Sequence, residues 1–192
     1  DVPRLGKKTI ANIADSIEFM KKAGERMPIG RALPLAERLI EHLQAKGGVG
    51  QVEYAGSLRR GRDTVGDIDL LATCDDPAGL IEHFQSLDDV DKVLLAGDTK
   101  CSLRLGLGMQ VDLRVVPTEA FGAALMYFTG SKEHNVELRE RAIKAQQRLN
   151  EYGLFPDDGS EGTPQSRGVE PVASETEEDI YEALGLPWQP PE

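Results

Sequence analysis

Two carboxylates, Asp67 and Asp69, head the apolar run of IDLLAT, and a third, Asp112, sits inside MQVDLRVV. A charge within a sheet is expensive unless it is paired or metal-bound. Side chains alternate along a strand, so Asp67 and Asp69 share a face, and Asp112, between Val111 and Leu113, can project from the same face. Three acids on one face repel each other. A divalent cation relieves that repulsion and prefers hard oxygen ligands, which points to Mg²⁺ or Mn²⁺. Two such ions suit in-line phosphoryl transfer. Separated from Asp67 by nine residues, Gly56-Ser57 opens a short helical turn that offers N–H groups and a hydroxyl to phosphate oxygens, and Arg60 can add a bidentate contact. Alone, an Asp-x-Asp is an ordinary solvated strand end and a Gly-Ser says little. Together with a later strand aspartate, they form a metal site for phosphate chemistry.

The elements that must position these groups are legible from periodicity. Residues 7–23 read as a helix, with Ile10, Ile13, Ile17 and Met20 on one face. Pro34 suits a first helical turn, followed by the stripe Leu35, Leu39, Ile40 and Leu43 up to Gly47-Gly48. The period then changes. QVEYAG and IDLLAT read as strands, PAGLIEHFQSL as a helix opened by Pro77, and VDKVLLAG, KCSLRLGL and MQVDLRVVP as three further strands, the last two joined at Gly106–Gly108. Helices are expected over 119–129 and 131–146, broken at Gly130-Ser131. Residues 156–172 read as an acidic surface loop, and SETEEDIYEAL as a short capped helix. Helices, a mixed centre and helices again make an α+β fold.

Composition bounds the rest. The chain has 192 residues, 40% hydrophobic and 29% charged, enough for a substantial core. No run approaches the roughly 18 apolar residues of a membrane span, so no membrane partner is expected. The start is polar rather than signal-like, and without an initiator Met the chain reads as a piece of a longer protein. Cys74 and Cys101 lack metal-ligand spacing and read as free thiols in a reducing cytoplasm. The net charge of −11 sits almost wholly in residues 151–192, which hold eleven acids and Arg167 alone as a base. The remaining body is near neutral, with a basic cluster at Arg59, Arg60 and Arg62, so net charge does not exclude nucleic acid.

The blocks "GSLRRGRDTVGDIDLL", "VDLRVVP" and "YFTGSKEHNVELR" resemble the nucleotidyltransferase superfamily, and within it the bacterial and archaeal branch of the family X DNA polymerases, the group of DNA polymerase beta. "NEYGLF" and "EEDIYEALGLPWQPPE" extend the likeness over nearly the whole chain. The resemblance implies a mixed-sheet palm flanked by helical subdomains. It divides the chain into an incomplete helical DNA-binding subdomain at 1–50, a palm at 51–118 and a C-terminal subdomain for the nascent base pair at 119–192. Asp67, Asp69 and Asp112 would be the catalytic, metal-binding acids, holding two Mg²⁺ ions for which Mn²⁺ could substitute. Ser57, Arg60, Gly66 and Arg26 would hold the incoming triphosphate. Tyr127, Phe128 and Gly130 would pack against its sugar, Asn135 and Arg139 would reach the new base pair and template, Arg114 would take part in a switch between open and closed states, and Glu151 would neighbour it. The implied partners are a dNTP and primer–template or gapped DNA, in base excision repair.

Two positions depart from the family pattern. Gln110 stands where the beta enzyme has an arginine, so the tuning of Asp112 is expected to differ. Lys132 replaces an acid next to the nucleotide base and is expected to strengthen nucleotide binding without template. Pro3–Thr9 resembles a remnant of a helix-hairpin-helix, with Arg4 where a glycine is usual. By the resemblance, a lyase-like domain would precede this piece and a PHP domain would follow it. His42 and His83 read as ordinary helix histidines, whereas His134 sits where it could approach substrate. The alternatives are a template-independent nucleotidyltransferase acting on RNA ends or small molecules, and a fragment that binds nucleotide or DNA but barely catalyses. The Tyr-Phe-Thr-Gly-Ser block ranks the templated enzyme first.

Overall fold

A computed structural model describes residues 26–191. The expected helix over 7–23 and the hairpin remnant at Pro3–Thr9 lie outside the described residues. In chain order the elements are β1 (Met27–Pro28), α1 (Ile29–Gln44), β2 (Val49–Tyr54), α2 (Gly56–Arg59), β3 (Thr64–Val65), β4 (Asp67–Cys74), α3 (Pro77–Gln85), β5 (Val90–Ala96), β6 (Lys100–Leu105), β7 (Gln110–Val115), α4 (Phe121–Thr129), α5 (Lys132–Lys144), β8 (Gln147–Asn150), β9 (Gly153–Pro156) and α6 (Glu177–Ala183). The α+β reading is correct.

The centre is a five-stranded mixed sheet in the order β2-β4-β7-β6-β5. Only β4 and β7 run parallel, and their register sets Asp69 beside Asp112 and Asp67 beside Gln110. One face of the sheet is apolar. Ile68, Leu70, Leu103, Val111 and Leu113 form one buried cluster with Leu35, Leu39 and Leu43 of α1 and Leu80 and Phe84 of α3. α1 therefore shares its core with the sheet, across the expected boundary at residue 50.

Pro34 lies inside α1 rather than in its first turn. β1 pairs with β3, and Ile29 N–H donates to the Asp63 carbonyl at 2.9 Å, so the helix starts five residues before the proline. The missing proline N–H removes one interior bond, a cost that the buried Leu35, Leu39 and Leu43 outweigh.

A second cluster holds the C-terminal part: Ala123 and Met126 of α4, Leu138 and Ala142 of α5, Leu149, Leu154, and Ile180, Tyr181 and Leu184 around α6. A third, small cluster of Ala55, Leu71, Phe121, Ala124 and Leu125 joins α4 to the carboxylate-bearing face of β4. The β8–β9 hairpin was not expected, since four-residue strands around Asn150-Glu151-Tyr152-Gly153 leave too few residues for a period-2 signal. The cap expected for the last helix is Thr176, which accepts from the Asp179 N–H at 3.1 Å, and Asp76 and Ser131 accept in the same way from the N–H groups of Gly79 and His134 at 3.0 and 3.4 Å.

Candidate active site

Asp67 and Asp69 stand at the start of β4, where the strand leaves the core. Ile68 between them is fully buried on the opposite face. Asp69 lies directly beside Asp112, and Gln110 Nε2 donates to both Asp112 oxygens at 3.3 and 3.1 Å. The electrostatics show the crowding. Burial first, then the charges of Asp67 and Asp112, push the Asp69 carboxyl from its ordinary 3.8 up to about 6, against the pull of Arg114 and Arg60. Burial and Asp112 also raise Asp67, opposed by Arg26.

Among the described residues, no three His, Cys, Asp or Glu side chains are drawn close enough to grip an ion as they stand. The donor set nonetheless fits a hard divalent cation: three carboxylates on one sheet face, each of whose charges the others oppose. The aspartates are brought to one place, but only a counter-ion would draw them onto a common centre.

Beside them, α2 begins at Gly56 with φ +58°, a conformation that glycine adopts without penalty. A Cβ there would meet Asp69 Oδ2 at 2.2 Å, so the close approach of the α2 turn to the carboxylate requires a bare backbone. A cavity of about 480 Å³ opens over this turn. Arg26, Ser57, Arg60, Asp67 and Asp69 line one side of it; Tyr127, Phe128, Gly130, Lys132, Asn135 and Arg139 line the other. Thr129 also lines the cavity.

Arg60 is the best-defined cation of the cavity. Its Nη1 donates to the Thr129 carbonyl, while its buried Nε has no hydrogen-bond partner. Burial and the neighbouring Arg62 pull its pKa down, so the guanidinium is short of compensating anion. A donor left unpaired in this setting is what an incoming phosphate oxygen would satisfy. Arg26 is fixed by Thr64, through Nε to Oγ1 at 3.0 Å and Nη2 to the carbonyl at 2.7 Å. Gly66 does not line the cavity. A Cβ there would lie 3.4 Å from Arg26 Nη1, so its place is behind that arginine.

The Tyr127-Phe128 pair packs edge to face at 5.1 Å between centroids. Asn135 Nδ2 donates to the Tyr127 carbonyl at 2.6 Å, and Arg139 Nε to the Asn135 carbonyl at 3.1 Å. Gly130, at φ +72°, ends α4 where a side chain would press on Arg60 Nη1 at 3.2 Å. Arg114 and Asp112 lie outside the cavity lining; the Arg114 guanidinium rests 4.4 Å from the Phe128 ring centre. His134 turns away from the cavity and meets the Tyr181 hydroxyl at 2.6 Å.

Sequence reasoning missed one group. Arg59, adjacent to Arg60, reaches across to α6, with Nη1 and Nη2 each 2.7 Å from an oxygen of Glu177. Nη1 also donates to Thr129 Oγ1 at 2.9 Å. The pair is nearly enclosed, with side chains 17% and 10% exposed. It links the α2 turn to the C-terminal cluster. Nothing local distinguishes Arg59 from its neighbour, because its partner lies 118 residues away.

Residues 124–192 match the family described as DNA polymerase beta thumb. Over 97% of its length the chain is 37% identical to the "DNA polymerase/3'-5' exonuclease PolX" of Bacillus subtilis. It is 27% identical to DNA polymerase lambda of Rattus norvegicus over 87% of its length, and 27% identical to that of Arabidopsis thaliana over 71%. The chain spans about a third of the length of each of these relatives. The fold, the thumb match and the bacterial relative agree: the chain belongs to the family X DNA polymerases.

Proposed function

We propose that this chain is the polymerase core of a DNA-directed DNA polymerase that joins a dNMP to a primer 3′-hydroxyl and releases pyrophosphate. The observation that carries the reading is the juxtaposition of three strand carboxylates on one sheet face with a cavity rimmed by Arg26, Ser57 and Arg60. Asp67, Asp69 and Asp112 would hold Mg²⁺, with Mn²⁺ as substitute. Bound there, the ions would lower the pKa of the attacking hydroxyl and neutralise charge on the phosphates.

The chain's own residues supply the positioning. Ser57, Arg60 and Arg26 bind the triphosphate, the unpaired Arg60 Nε taking a phosphate oxygen. Tyr127, Phe128 and the bare backbone of Gly130 hold the sugar, and Lys132 and Asn135 lie by the base. Arg139 reaches the template side, and Arg114, resting on Phe128, senses the position of α4. Catalysis of this kind is mostly orientation and charge placement. In subdomain terms, the palm is the sheet with its helices, and the C-terminal cluster binds the nascent pair. Gap filling in base excision repair in the cytoplasm is the proposed setting, with a lyase-like domain before this piece and a PHP domain after it. Among the described residues, no helix is long and apolar enough to cross a membrane.

The test is primer extension on a short-gapped duplex with dNTPs and Mg²⁺ or Mn²⁺, beside Asp112→Ala and a template-free control. Templated extension that disappears in the variant is expected. Extension independent of template, or unchanged by Asp112→Ala, would overturn the reading.

A further inference from the structure

We propose that the hydrogen bond between His134 and Tyr181 is a brace that sets the first turn of α5, and with it the reach of Lys132 and Asn135 toward the base of the incoming nucleotide. His134 and Tyr181 are then positioning residues, set back from the nucleotide itself. This rests on the nucleotidyl-transfer reading above.

Two faces of α5 carry the inference. Lys132, Asn135 and Arg139, spaced by three and four residues, share one face and line the nucleotide cavity. His134, Leu138 and Ala142, spaced by four, share a second face about a quarter turn round the helix. On that second face Leu138 and Ala142 are buried in the C-terminal cluster, whereas His134 at its start is half-buried. A second cavity, of about 340 Å³, opens at the flank of His134, among Met126, Ser131, Glu177, Pro190 and Pro191. Packing therefore holds the middle and end of α5, while its first turn borders a cavity.

Directional contacts must hold that turn instead. Ser131 Oγ accepts from the His134 N–H at a long 3.4 Å, and Asn135 Nδ2 donates to the Tyr127 carbonyl at 2.6 Å. Both bonds lie within the α4–α5 unit, so they fix its two halves to each other and not to α6. His134 Nε2, 2.6 Å from the Tyr181 hydroxyl, makes the tie to α6. Tyr181 is a firm anchor. It is buried, its ring packs in the cluster with Met126 and Leu138, and its carbonyl accepts from the N–H groups of Leu184 and Leu186 at 3.2 and 2.9 Å. The far end of α5 has its own tie, Arg141 Nε donating to the Leu184 carbonyl at 2.7 Å. Arg26, Ser57 and Arg60, the groups for the triphosphate, lie off α5. The brace acts on the base end of the pocket and leaves the phosphate end alone.

The test compares Tyr181→Phe and His134→Leu, which remove the bond, with His134→Gln, whose amide donates or accepts in its place, and with Arg141→Gln at the far end. Titration calorimetry with Mg²⁺–dNTP and with Mg²⁺–tripolyphosphate is run beside primer extension and thermal melts. Tyr181→Phe and His134→Leu are each expected to weaken dNTP binding about fivefold, the net worth of one hydrogen bond. Each raises the dNTP KM by a similar factor, with kcat within about twofold of wild type. The two changes together are no worse than either alone. Tripolyphosphate affinity stays at the wild-type value, His134→Gln retains dNTP binding, and Arg141→Gln lowers the melting temperature without moving the dNTP KM. Unchanged dNTP binding in Tyr181→Phe, beside a wild type that extends primers, would overturn the brace alone. Equal weakening of tripolyphosphate, or the same KM change in Arg141→Gln, would mark a general loosening of α5 and overturn the brace as well. A wild type that neither binds dNTP nor extends primers would overturn the nucleotidyl-transfer reading and the brace with it.

Discussion

Replacing Asp69 by Asn should abolish catalysis and yet stabilise the metal-free protein. The Asp69 carboxyl is raised from 3.8 to about 6 by burial and by its two aspartate neighbours. A group whose pKa rises on folding contributes stability that is complete below its unfolded pKa and is lost as pH climbs through the folded value. For Asp69 that window runs from about 4 to about 6, and at neutral pH the folded state carries the full penalty. The rise corresponds to about 3 kcal/mol, of which about 2 kcal/mol remains once the solvent reaching the site is allowed for. In a chain of this size that is a gain of about 4–8 °C in melting temperature. Thermal melts of wild type and Asp69→Asn in EDTA, from pH 4 to 7.5, read it directly. The difference should be largest at pH 7 and vanish near pH 4, because the variant is neutral throughout. Added Mg²⁺ should raise the wild-type melting temperature and leave the variant nearly unmoved. An asparagine variant less stable than wild type in EDTA at pH 7, or a difference independent of pH, would refute the repulsion argument.

Three further outcomes follow from the contacts. Arg59→Ala should destabilise by about 3–5 kcal/mol in urea unfolding, by leaving Glu177 buried and unpaired; Arg59→Ala/Glu177→Ala together should cost clearly less than the sum of the single changes. Lys132→Ala should weaken binding of a metal–dNTP complex without DNA by about tenfold; unchanged affinity by titration calorimetry would remove Lys132 from the nucleotide site. Gly56→Ala must place a Cβ 2.2 Å from Asp69 Oδ2 at φ +58°. It should cost about 1–3 kcal/mol and lower kcat far more than a control change at the exposed Gly61, where a Cβ meets nothing within 4 Å.

The comparison of sequence with structure divides along range. The sequence alone made the chemistry legible: hard oxygen donors in apolar strands, a Gly-Ser turn followed by arginines, and the face shared by Asp67 and Asp69. These are local facts of residue type and a period of two, and most helices and strands followed from similarly short-range patterns. What the sequence could not state is which strands lie side by side. The parallel pairing that sets Asp112 beside Asp69, 43 positions away, is decided by how the sheet packs on α1 and α3. The same holds for Arg59 meeting Glu177 across 118 positions. Pro34 shows the reverse effect: a residue with a firm local preference sits inside a helix because the pairing of β1 with β3 and the core beneath α1 set where that helix begins. Local sterics select the elements. Burial and register, which act on the whole chain at once, select which charges meet.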